Sequence, residues 1–128
     1  MAKFVDANII LRYLLDDPEA DSVERIFKKQ KEIIVADIVI AEVIWTFTTF
    51  YKWRKDRFIP KIKSFLSPDF IKADKKILNV ALDIFEKYKI DYIDAYLISL
   101  MEKKKVQSIY SFDRDFDKVQ SVRRIEPK

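Results

Sequence analysis

Apolar residues recur at every third or fourth position through most of this chain, and short unbroken apolar runs separate those stretches. Phe4-Val5 predicts a short strand ending at Asp6, and Asn8–Leu15 a helix with Ile9, Ile10, Tyr13 and Leu14 facing inward. Asp16-Asp17-Pro18 stops that helix and starts another, because proline suits a first helical turn. The second helix runs to about Lys31 on an apolar face of Ala20, Val23, Ile26 and Phe27, and Ile33-Ile34-Val35 predicts a buried strand. Asp37 is placed to cap the next helix, which carries Ile40, Val43, Ile44, Phe47 and Phe50 or Tyr51. Trp45 and Trp53 add apolar surface beyond what one stripe needs, the mark of a core or of a protein interface. Arg54–Leu66 predicts a basic helix with Pro60 near a start or kink, then a turn at Ser67-Pro68-Asp69 and a short strand at Phe70–Lys72. After Asp74, the residues Ile77, Val80, Ala81, Ile84, Phe85 and Tyr88 fit the 3.6-residue period position by position. In Ile90–Lys104 the stripe is Ile93, Tyr96, Leu97, Leu100 and Met101. Gln107–Phe112 predicts a strand, Arg114–Lys118 a short helix and Val122–Ile125 a last strand. Strands alternating with helices predict an α/β fold, a central, mainly parallel sheet flanked by helices on both faces. With no repeat, linker or low-complexity tract, residues 1–128 are expected to form a single domain.

Composition narrows the chemistry. The chain has no cysteine, which excludes disulfides, thiol nucleophiles and cysteine zinc sites. It has no histidine, so acid–base work falls to carboxylates, lysine, tyrosine or bound water. The lack of glycine rules out a Gly-rich phosphate loop or dinucleotide fingerprint. A net charge of +4 is compatible with a polyanionic partner without identifying one. Ile33–Phe50 has the length of a membrane span but contains Asp37 and Glu42, each costing about 2.5–3.5 kcal/mol at a bilayer centre. Only Ala2-Lys3 follow Met1 before the first apolar run, too little for a signal peptide, so a soluble cytoplasmic protein is expected.

Four acids are set against apolar segments. Asp6 ends the first strand, Glu42 interrupts a long apolar helix, Asp94 enters the first turn of its helix, and Asp113 follows the run Ile109–Phe112. Each has a plain structural explanation: a turn for Asp6, a solvated or paired side chain for Glu42, and a helix N-cap for Asp113. For Asp94 it is a capping box with Asp91. Taken together they imply a cation, because ligands in open α/β sheets sit outside the carboxyl ends of the strands and clustered carboxylates repel unless compensated. Oxygen ligands without nitrogen or sulfur favour Mg²⁺ or Mn²⁺, one or two ions, over zinc. A phosphatase with an Asp-x-Asp pair would need a second acid where Asn8 stands, and a phospho-accepting receiver domain would need paired acids at the first strand end.

In this order the motifs resemble those of a PIN-domain ribonuclease of the VapC toxin type, across nearly the whole chain. They are Val5-Asp6-Ala7-Asn8-Ile9-Ile10-Leu11, Ile40-Ala41-Glu42-Val43, Tyr92-Ile93-Asp94-Ala95-Tyr96-Leu97-Ile98 and Tyr110-Ser111-Phe112-Asp113-Arg114-Asp115-Phe116. The resemblance implies a PIN-like three-layer fold and a metal-dependent endoribonuclease that hydrolyses RNA phosphodiester bonds. It makes Asp6, Glu42, Asp94 and Asp113 the quartet that holds Mg²⁺ or Mn²⁺, with Asn8 and Ser111 orienting carboxylates or water. Asp91 and Asp115 are outer acids in the same scheme. Ser111 stands where many relatives have threonine, and Ala7 where many have threonine or serine. The resemblance also implies a small antitoxin protein as partner and a homo-oligomer, often a dimer. Its alternatives are a non-cleaving PIN-like RNA- or protein-binding module, or an RNA-processing nuclease without an antitoxin. Lys52, Trp53, Arg54, Lys55 and Arg57 interleave an aromatic with cations, the composition of an RNA-gripping surface or of a solvated helix end.

Overall fold

The structure, a computed structural model, describes Met1–Lys128, which fold as two compact units, Met1–Lys75 and Lys76–Lys128. Three two-residue strands organise the first unit: β1 (Lys3–Phe4), β2 (Ile33–Ile34) and β3 (Ile71–Lys72), in the order β1-β2-β3. Both pairings are parallel, Lys3 opposite Ile33 and Ile33 opposite Ile71, so each connection must cross over through helices. Helices α1 (Ala7–Leu14) and α2 (Ala20–Lys29) make the first crossover. The second is made by α3 (Asp37–Trp45), a π turn over Thr46–Phe50 and α4 (Lys55–Leu66). Ile33, on the central strand, is fully buried.

Local chemistry sets the helix ends. The Asp6 carboxylate accepts the Ile9 backbone N–H and starts α1, whose Ala7, Ile10 and Leu14 point inward. Asp16 takes a left-handed conformation (φ 52°) just beyond that helix, where the chain turns toward α2. Arg12 holds the turn, reaching Asp17 at 3.5 Å and Glu19 at 3.2 Å. Val23 and Phe27 anchor α2, and Ile26, expected on its inner face, is instead 47% exposed. Phe27 meets Tyr13 and Phe65 with ring centroids 5.4 and 5.8 Å apart.

The expected cap of α3 is corrected: Ala36 is the capping residue, without a side-chain bond, and Asp37 is the first helical position. Ile40, Val43, Ile44 and Phe47 are buried as the period requires. The π turn then shifts the phase of the stripe, so that Phe50 and Tyr51 turn outward, Phe50 to 73% exposure. Pro60 lies inside α4, where it removes one helical N–H, while Phe58, Ile59, Ile62, Phe65 and Leu66 bury the inner face.

In the second unit, α5 (Lys75–Lys87, beginning one residue earlier) buries Ile77, Leu78, Ala81, Leu82, Ile84 and Phe85. Helix α6 (Tyr92–Lys104) follows, then β4 (Ser108–Tyr110), a 3₁₀ turn over Arg114–Lys118 and β5 (Arg123–Ile125). β4 and β5 pair in parallel, Ser108 opposite Arg123 and Tyr110 opposite Ile125. The inner face of α6 is not the stripe expected for it. Tyr92, Ala95, Ile98 and Ser99 are buried, while Ile93 and Leu97 are 56% and 38% exposed. Small Ala95 and Ser99 allow close approach, and Ser99 Oγ donates to the Ile77 carbonyl at 2.7 Å, satisfying a hydroxyl that would otherwise be costly to bury. The α/β alternation and parallel pairing read from the sequence are both present, in strands shorter than expected. No helix is long and apolar enough to cross a membrane.

Candidate functional site

In the first unit, Asp6 stands between β1 and α1 and Glu42 in the middle of α3, a helix packed on α1. Asp6 Oδ1 takes the Ile9 N–H at 3.1 Å; Oδ2 has no such partner. Asp6, itself exposed, lines a shallow open depression with Phe4, Val5, Ile9 and Val39. Glu42 is exposed on its helix. Asn8, on the first turn of α1, accepts Arg12 Nε at 2.9 Å through Oδ1, which fixes the direction of its amide. A separate cavity of about 500 Å³, walled by Tyr13, Phe27, Phe65 and Phe70, is lined by none of the candidate acids.

In the second unit, four acids gather electrostatically. Burial pushes the Asp94 carboxyl up from its ordinary range, and the nearby charges of Asp113, Asp91 and Asp115 push it further, in that order. The capping-box explanation for Asp94 fails. Asp91 occupies the N-cap of α6, but its side chain makes no capping hydrogen bond. Asp113 does cap, its Oδ1 accepting the Asp115 N–H at 2.9 Å at the start of the 3₁₀ turn. Ser111 Oγ accepts the Asp113 N–H at 2.9 Å, so the serine aims the backbone that carries the acid. Asp115 pairs with Lys118 at 2.8 Å, and Lys118 also donates to the Lys89 carbonyl.

Asp6, Glu42, Asp94 and Asp113 form no ion pair with lysine or arginine, so each keeps carboxylate oxygen open in a chain rich in cations. Open oxygen donors and mutual repulsion around Asp94 fit a hard divalent cation. Within neither unit do three carboxylates stand close enough together to form a finished ion cage.

The aromatic of the basic stretch is already engaged. Trp53 stacks on Phe47 at 4.8 Å, and the Arg57 guanidinium lies 3.5 Å from its ring centroid. Two groups that close cannot share a face, so both faces of the indole are covered. Arg54 pairs with Asp56 at 3.3 Å, and Lys52 is exposed in a left-handed conformation (φ 54°).

Sequence reading missed Arg124, the best-connected cation of the second unit. Its side chain is 13% exposed and reaches Asp117, Glu126 and the Ser111 carbonyl. The available signal was an arginine two residues before Glu126 in a short strand, which alone does not separate an inward cation from a solvated one.

A family model for the PIN domain matches residues 3–122. A curated relative, a VapC ribonuclease of Aquifex aeolicus (strain VF5), is 21% identical over 123 residues, 91% of each chain. Among solved structures, Mycobacterium tuberculosis VapC20, a Sarcin-Ricin loop cleaving toxin, aligns with a TM-score of 0.43 and 18% identity. That alignment covers 90% of this chain and 92% of the other. VapBC2 from Rickettsia felis, bound to a DNA fragment from their promoter, aligns with a TM-score of 0.41 and 15% identity over 98% of each chain. The family match runs from the first strand to the threshold of the last and takes in all four acids; the chain belongs to the PIN-domain family.

Proposed function

We propose that this single-domain protein is a metal-dependent endoribonuclease that hydrolyses RNA phosphodiester bonds as the toxin of a toxin–antitoxin pair. The observation that carries the reading is a half-buried Asp94 whose carboxyl feels the charges of Asp113, Asp91 and Asp115, in a PIN-family chain. Similarity to a curated VapC ribonuclease supports the choice of RNA.

Asp6, Glu42, Asp94 and Asp113 are the residues that would hold Mg²⁺ or Mn²⁺. When bound, such an ion stabilises charge on the scissile phosphate and lowers the pKa of the attacking water. The chain's own part is to keep those carboxylates open and oriented. Asp6 and Asp113 each use one oxygen to start a helix or turn, which fixes the carboxylate plane. Ser111 orients Asp113 through its backbone N–H, and Asn8 stands beside Asp6 with its amide direction set by Arg12. Asp91 and Asp115 add negative potential near Asp94, which draws in a cation. Lys52, Arg54 and Lys55 supply phosphate contacts in this scheme, with Trp53 and Arg57 as their scaffold.

The partners proposed are an antitoxin that lays an amphipathic helix on the exposed apolar surface of Ile38, Trp45 and Phe50, and a second copy of the chain. The function is tested with purified, partner-free protein on a broad RNA pool. Cleavage is expected with Mg²⁺ or Mn²⁺, stops in excess chelator and is nearly lost in Asp94→Asn, whose circular dichroism stays native. Equal cleavage in excess chelator overturns the metal mechanism, and sequencing the cut ends defines the target.

A further inference from the structure

Arg124 touches no candidate ligand, yet it holds both sides of one. Its Nε and Nη2 donate to Asp117 Oδ1 and Oδ2 at 3.0 and 3.2 Å, a two-pronged grip that an arginine fork can make and a lysine cannot. Its Nη1 donates to the Ser111 carbonyl at 3.1 Å and to Glu126 Oε1 at 3.2 Å. Ser111 is itself pinned to β5, its N–H donating to the Ile125 carbonyl at 3.1 Å. The same Ser111 accepts the Asp113 N–H through Oγ, and Asp113 caps the 3₁₀ turn on which Asp117 sits. One guanidinium therefore fixes the residue two before Asp113 and the residue four after it. The charges of Asp117 and Glu126 absorb its own, so the Asp113 carboxylate is aimed without being neutralised.

We infer that Arg124 is the positioning residue of the Asp113 segment: it clamps Ser111 and Asp117 so that Asp113 presents its free oxygen in one fixed direction. The inference rests on the proposed reading of Asp113 as an ion-holding acid. The clamp persists through neutral pH, since Arg124 holds the Asp117 carboxyl below its ordinary range by hydrogen bonding and by charge.

The test compares wild type with full-length Arg124→Lys and Asp117→Asn, the latter at an exposed carboxylate whose loss spares the Ser111 contact. Amide hydrogen exchange at Asp113 and Asp115 is read together with Mn²⁺ affinity by titration, both at a temperature where each variant is folded. Arg124→Lys keeps the charge but not the fork. It is expected to speed exchange at both amides and weaken Mn²⁺ binding about 10- to 100-fold, the usual scale for an outer positioning group. Asp117→Asn is expected to do the same to a lesser degree, and it replaces Arg124→Lys should that variant fail to fold. Exchange at both amides and Mn²⁺ affinity unchanged from wild type in a folded variant overturn the clamp, even where its melting temperature falls. If wild type shows no carboxylate-dependent Mn²⁺ binding, the proposed function fails, and amide exchange alone still decides whether Arg124 orders the Asp113 segment.

Discussion

Asp6 accepts the backbone N–H of Ile9 through Oδ1 at 3.1 Å, which makes a candidate metal ligand also the N-cap of α1. The two roles use different oxygens, and substitution separates them. Asparagine retains a capping oxygen but not the charge, whereas alanine removes both. Asp6→Asn is expected to unfold within a few tenths of a kcal/mol of wild type, while Asp6→Ala loses about 1 kcal/mol, both read from urea melts. Both are expected to lose about 100-fold or more in RNA cleavage, the scale of removing one preorganised electrostatic group. An Asp6→Asn protein that cleaves like wild type would reduce Asp6 to a cap.

Asp94 and Asp117 make opposite predictions for stability against pH. The Asp94 carboxyl is raised by burial and then by Asp113, Asp91 and Asp115, so the folded state holds its proton more tightly than the unfolded state. Its contribution is fully present below the unfolded pKa and lost as pH rises through the folded pKa. Metal-free Asp94→Asn, which cannot ionise there, should gain on wild type as pH climbs through the carboxylate range and keep that advantage at neutrality. The Asp117 carboxyl is lowered by Arg124, so its contribution is present above the unfolded pKa and lost as pH falls through the folded one. Asp117→Asn should therefore lose stability at neutral pH and converge on wild type in acid. Thermal melts in chelator across pH check both signs, and identical wild-type and Asp94→Asn curves would mean that Asp94 shares no field with its neighbours.

Metal should reverse the first of those differences. A ligand that binds only the folded state stabilises by RT ln(1 + [L]/Kd), about 2.7 kcal/mol at a hundredfold excess over Kd. Mn²⁺ added at neutral pH is expected to raise the melting temperature of wild type and to have a much smaller effect on Asp94→Asn. The wild-type response should weaken in acid, where protons compete for the same carboxylates. A response equal in both proteins would place the ion elsewhere.

The four candidate acids stand out in the sequence because each interrupts or ends an apolar segment, a contrast that needs no tertiary information. The buried face of α6 was not. Ile93, Tyr96, Leu97, Leu100 and Met101 make a cleaner stripe by size, but Tyr92, Ala95, Ile98 and Ser99 are the ones inside. A helix apolar on more than one side gives periodicity no basis for choosing, and the choice fell to small residues that let Ser99 reach Ile77. The π turn over Thr46–Phe50 was equally hidden, since a change of phase is invisible to a fixed 3.6-residue count. Arg124 was missed because its partners Asp117 and Ser111 lie across a turn, at separations of 7 and 13 residues that no helix or strand period links. A three-residue strand also does not show which side faces inward.

The stacked Trp53 alters how the basic stretch should respond to mutation. With Phe47 on one face and Arg57 on the other of this half-buried indole, Trp53→Ala is expected to cost about 2–4 kcal/mol of stability, a little under the roughly 3–5 kcal/mol for a core aromatic. Lys52→Ala and Arg54→Ala should leave folding intact and weaken RNA binding without changing sequence preference. Each is expected to lower the slope of log affinity against log salt by about 0.7, as for one phosphate contact on a single strand. Unchanged slopes in both would remove this stretch from the RNA surface.

Trp45 gives the sharpest test of a protein partner, because it can be removed without opening the core. It is 64% exposed on α3, and Ile38, 78% exposed, lies two turns earlier on the same side of the helix. Exposed tryptophan beside exposed isoleucine is costly to leave in water and is the composition of an interface anchor. Trp45→Ala should therefore change unfolding stability by no more than about 0.5 kcal/mol, as surface changes do. Binding of an amphipathic partner helix, or self-association through this face, should weaken by about 2 kcal/mol or more, roughly 30-fold. Leu97→Ala, on the exposed side of α6, serves as the comparison, since that helix also leaves apolar side chains open. Sedimentation and partner titration of both variants decide which surface is used. If Trp45→Ala associates and binds partner as wild type does while Leu97→Ala is impaired, the interface lies on α6 and the proposed placement on α3 is wrong.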